Sequence, residues 1–138
     1  SDLTIQSVDS ENILKEIDKQ AAKNSRKINV LLQVKIAQEA SKFGLEMQEA
    51  EDLIKKKMNG EFPDVDITGL MGMATFTEDQ KQIAEEFASL KSLFDRIDSY
   101  FPLKKLSMGM SDDFILAIKS GSNSVRVGSA IFGARDYR

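Results

Sequence analysis

Two hydrophobic periods alternate along this chain. Short apolar or alternating runs have the length and residue types of β-strands: Leu3–Val8 (LTIQSV), Val30–Ile36 (VLLQVKI), Ile67–Ala74 (ITGLMGMA), Leu103–Met108 (LKKLSM) and Ser124–Gly128 (SVRVG). Between them, apolar residues recur at helical spacing. Ile13, Leu14, Ile17 and Ala21 share one face, then Met47, Ala50, Leu53 and Ile54, then Ile83, Phe87, Leu90, Phe94 and Ile97. Helix boundaries are marked as well. Asp9 or Ser10 can cap the first helix, and Gly60 and Pro63 punctuate the end of the second. Thr77 and Gln80 fit a capping box for the third, while Ser111 caps a fourth that Gly121 ends. Ser129–Phe132 begins a last short helix.

The pattern is a β–α unit repeated five times, which predicts a parallel sheet with right-handed crossovers. No linker or internal repeat divides it, so residues 1–138 are expected to form one domain. Two architectures fit five units: an open doubly wound sheet, or part of an eight-stranded barrel. The first β–α turn, VDSEN, lacks the G-x-G-x-x-G of a dinucleotide-binding sheet. The distinctive residues fall after the third, fourth and fifth strands, where a barrel places its active face and often a phosphate site. A barrel needs eight strands, so this reading makes the chain a partial one.

Composition narrows the chemistry. With no cysteine and no histidine, disulfides, thiolate metal sites, common zinc sites and histidine-based triads are excluded. The net charge of −3, with Lys and Arg spread along the chain, gives no nucleic-acid-binding surface. No apolar run approaches the ~20 residues of a membrane span. SDLTIQSVDS does not have the pattern of a signal peptide, so a soluble cytoplasmic protein is expected.

The last two loops carry the best candidate site. In SMGMS (107–111) and VRVGSAIFG (125–133), Gly109 and Gly128 permit close backbone approach, and Ser111 and Ser129 stand where helices begin. Free N–H groups and the helix dipole favour an anion there, and a phosphate monoester fits. Arg126 leads into Gly128 and can face the same mouth, although a structural ion pair would explain it equally well. Asp112 and Asp113 oppose an anion beside Ser111, which a plain helix cap also explains; Ser129 has no such neighbour. Met71, Met73, Met108 and Met110 gather near strand ends, mostly as core filler. Lys35 closes an apolar strand, either facing a polar mouth or snorkelling at the strand end.

These residues carry a resemblance. LSMGMSDDFILAIKSGSNSVRVGSAIFGARDY (106–137) resembles the C-terminal signature of the YggS-type pyridoxal phosphate homeostasis proteins, also described as the proline synthetase co-transcribed family. LLQVKIAQEASKFG (31–44), GLMGMATFTED (69–79) and SVDS (7–10) resemble further family segments. The resemblance implies an α/β fold: the C-terminal five β–α units of a (β/α)8 barrel of the alanine racemase N-terminal-domain kind, with the first three units missing. It implies a non-catalytic carrier or regulator of pyridoxal 5′-phosphate (PLP). Carried over by motif, Ser111, Arg126, Gly128 and Ser129 line the phosphate site, with Ser107 and Met108 as weaker members of its wall. The Schiff-base lysine of the family's first strand has no counterpart here. Lys35 stands where the family motif commonly has Asn. The competing expectation is a PLP-dependent racemase-like enzyme, which would need a catalytic lysine and an acid–base partner. The implied partners are PLP and, through exposed barrel edges, a second copy or the missing N-terminal portion.

Overall fold

The computed structural model describes residues 5–38, 44–109 and 124–125. Five parallel strands form one sheet: β1 (Ile5–Val8), β2 (Ile28–Gln33), β3 (Val65–Met73), β4 (Lys105–Gly109) and β5 (Ser124–Val125). Among the described residues, three helices connect the first four strands: α1 (Glu11–Lys23), α2 (Met47–Met58) and α3 (Gln80–Asp98). The spatial order of the strands is their order in sequence. A doubly wound sheet reverses direction at a switch point, and this one does not. Each unit is laid beside the last, as around a barrel wall.

The faces of the sheet differ. Val8, Val30, Leu32, Val34, Leu70, Leu106 and Met108 are buried in one apolar cluster with Leu14, Ala50, Ile54, Ile83, Phe87, Leu90 and Ile97 of the helices. Ser7, Gln33, Met71 and Ser107 alternate with these strand residues and so occupy the other face. There the Ser7 hydroxyl lies 2.9 Å from the Met71 sulfur. Those residues belong to β1 and β3, roughly 10 Å apart in a flat sheet. Their side chains meet over β2 because the sheet is curled, with this face concave.

One irregularity keeps the pattern in phase. The β2–β3 register passes from Val30↔Ile67 to Leu31↔Gly69, leaving Thr68 as a bulge. Before it, Val65 and Ile67 enter the helix-facing core; after it, Leu70 and Ala74 do. The Thr68 hydroxyl donates to the Val30 carbonyl, 3.2 Å away, which fastens the bulge.

One helix boundary and one inward-facing assignment differ from expectation. Asp79, not Thr77, caps α3: its carboxylate accepts from the Gln82 N–H at 3.1 Å, while the Thr77 hydroxyl accepts from the Asp79 N–H at 3.2 Å. A carboxylate within reach of the free N–H groups outcompetes the hydroxyl two residues earlier. Ile13 is 44% exposed, because Leu14 and Ala21 define the inward line of α1. Ser10 does cap α1, accepting from the Ile13 N–H at 3.2 Å. The fourth helix and the short last helix lie outside the described residues.

Candidate functional site

The parallel strands end together, so the loops that leave β1, β2 and β3 rim one mouth above the concave face. In cross-strand register, Gln33 of β2 pairs with Met71, Met71 with Ser107, and Ser107 with Ser124. Ser7 reaches the same patch through its contact with Met71. The mouth therefore has hydroxyl and amide groups set around a thioether. Met73, nearer the rim, is 40% exposed. Gly109 ends β4 at φ 148°, a conformation that L side chains rarely adopt.

Of the residues expected to hold a phosphate, Ser107 is buried on the concave face. Met108 is fully buried on the opposite face of β4, within the helix-facing core, so the two do not share a wall. Met108 fills the core. Ser111, Arg126, Gly128 and Ser129 lie outside the described residues, and β5 is described up to Val125.

Lys35 is engaged rather than free: its ammonium donates to the Glu46 carboxylate at 2.7 Å.

Two carboxylates that the sequence did not single out are buried in the fold. Glu86 of α3 is 2% exposed. It accepts from the Thr75 N–H at 2.7 Å, the Thr75 hydroxyl at 2.6 Å, the Gln38 N–H at 3.0 Å and the Gln82 amide at 3.1 Å. Burial pushes its carboxyl up, but the converging donors outweigh that and hold it below the ordinary value. Glu51 of α2 accepts from the Arg96 guanidinium at 2.9 Å and from the Tyr100 hydroxyl at 2.6 Å. Arg96 and then Tyr100 lower the Glu51 pKa, while burial and this bond push the Tyr100 phenol up to about 12. Tyr100 thus has an acidic partner, in a cluster that joins α2 to the end of α3 away from the mouth. Glu86 was legible in principle. It stands between Ile83, Phe87 and Leu90 on the inward stripe of α3. Glu51 and Arg96 are brought together only by the fold.

Over residues 3–136 the sequence matches the alanine racemase N-terminal domain family. It is 38% identical over 136 residues to the pyridoxal phosphate homeostasis protein of Pasteurella multocida, covering 96% of this chain and 58% of that protein. To the protein of the same name from Aquifex aeolicus it is 36% identical over 135 residues, with the same coverage of 96% and 58%. The chain therefore spans less than two thirds of the length of these relatives. Among solved structures, an unknown protein from Bifidobacterium adolescentis superposes with a TM-score of 0.82 at 33% identity, over 92% of this chain and 51% of its own. PipY of Synechococcus elongatus, solved with PLP bound, gives a TM-score of 0.77 at 26% identity, over 94% and 60%. The alanine racemase of Bartonella henselae shares the fold, with a TM-score of 0.67 at 22% identity over 94% and 34%.

Proposed function

Given that this chain belongs to the alanine racemase N-terminal domain family, we propose that it is the larger part of a PLP-binding homeostasis protein that carries the cofactor without catalysing a reaction on it. The observation that supports this most is identity of 36–38% along 96% of the chain to proteins of that name. The sequential parallel sheet suits the same reading, as five of the eight units of a barrel. PLP supplies an aldehyde and a phosphate. In this reading the phosphate is held by Ser111, Gly128 and Ser129, whose loops offer backbone N–H groups, with Arg126 adding charge. Ser107 belongs to the concave wall beneath. In the same reading the aldehyde-binding lysine belongs to a unit that these 138 residues do not include. Lys35, held by Glu46, does not replace it.

This chain alone should therefore bind PLP weakly and through its phosphate. Titration should show inorganic phosphate competing with PLP and no strong aldimine absorption. A strong band that disappears in Lys35→Ala would overturn this assignment.

The outer edges of β1 and β5 have no strand partner among the described residues. Open edges favour pairing with another chain. In this reading the partner is a second copy or a separately supplied N-terminal portion. Light scattering should give a mass above that of one chain, and a clean monomer with the fold intact would contradict it.

A further inference from the structure

Glu86 is an unusual group to find in a core. Among the described residues its carboxylate has hydrogen bonds only from neutral donors. Burying a charge without a cation is costly unless hydrogen bonds replace its water. The distribution of those donors gives the carboxylate a purpose. Gln38 belongs to the loop after β2, and Thr75 to the loop after β3. Both donate backbone N–H groups, so the carboxylate fixes main chain and not merely side chains. The Thr75 hydroxyl closes the knot: it donates to Glu86 and accepts from the Gln38 N–H at 3.0 Å. One side chain at the start of α3 thus ties together two neighbouring loops of the mouth. Met73, on the rim, lies two residues before Thr75.

We infer that Glu86 is a positioning residue for the cofactor site. It sets the loops after β2 and β3 at the height where they wall a PLP molecule lying in the mouth. This inference rests on the PLP-binding reading above. A carboxylate suits the task because it only accepts, and four donors converge on it. An amide there would turn an N–H group against those donors.

The test uses the full-length protein with PLP as the probe. Thr75→Val removes the hydroxyl at nearly constant volume, and Glu86→Gln removes the charge. Each should weaken PLP binding about tenfold or more, as loss of outer-shell partners does at metal sites. Each should also shift the absorption of the bound cofactor. Thr75→Ser, which keeps the hydroxyl, should restore both properties. Gln82→Ala removes a donor that lies on α3 itself and should leave both unchanged, since it frees neither loop. Unaltered affinity and spectrum in Thr75→Val would overturn the inference, even if Glu86→Gln fails to fold. An equal loss in Gln82→Ala would overturn it too, by showing that the carboxylate merely stabilises the helix. If the parent protein binds no PLP, the homeostasis reading falls and this role falls with it. Normal binding by the parent and by all variants overturns the positioning role alone.

Discussion

Gly69→Ala should lower the urea midpoint sharply, at a cost of about 3 kcal/mol, the upper end for overpacking a close-fitting core. A methyl group at Gly69 would overlap the Lys105 carbonyl oxygen and stand 2.7 Å from its carbon. Those atoms are backbone in the neighbouring strand β4, paired with Gly69 in register. They can yield only if the strands separate, at the point where β3 leaves its bulge. Gly72→Ala is the informative contrast. Its methyl would meet Ile36 Cδ1 and Leu90 Cδ2 at 2.9 Å, and both are ends of flexible side chains. It should cost clearly less. Equal midpoints for Gly69→Ala and the parent would show that the two strands are not this close.

Phe87→Ala should be the most destabilising truncation in the core, at about 3–5 kcal/mol. Phe87 is fully buried, and its ring packs in the cluster shared by the sheet and the helices. Domains of this size are typically stable by only about 5–15 kcal/mol, so the loss is a large fraction of the total. The consequence extends beyond stability. Phe87 follows Glu86 on α3, so the ring that seats the helix also holds the carboxylate at the level of the two loops. Phe76→Ala provides the control. Phe76 is 77% exposed, and its loss should shift stability by no more than about 0.5 kcal/mol. Thermal melts of the two variants measure the contrast, and similar melting temperatures would refute it.

The strand and helix periods were readable because burial imposes them. Val30, Leu32 and Val34 had to enter one core, as did Ile83, Phe87, Leu90 and Ile97, and their spacing records it. The barrel-like order was expected from the absence of a glycine-rich first turn and the placement of unusual residues; the sheet order supports it directly. The Thr68 bulge was hidden, since ITGLMGMA reads as an apolar run whichever way its parity falls. The α3 cap was misplaced because Thr77 and Asp79 both suit such a position, and only geometry decides between them. For the site, Ser107 and Met108 were expected on one wall, but Ser107 stands on the concave face and Met108 in the helix-facing core. Adjacent strand residues cannot line one wall, and alternation alone would have separated them. Glu86 was missed because two consecutive glutamates look like a solvated pair. Only the apolar neighbours at helical spacing distinguish Glu86 from Glu85.

The sequential strand order also bears on how the molecule is made. As the chain leaves the ribosome, each strand after β1 finds its neighbour already synthesised, and none has to slip between two that are already paired. Growth at one advancing edge keeps the pairings close in sequence and lessens the search that slows sheets with reversed order. It also leaves the newest strand exposed until its successor arrives, so a pause in translation exposes an identifiable seam at that edge.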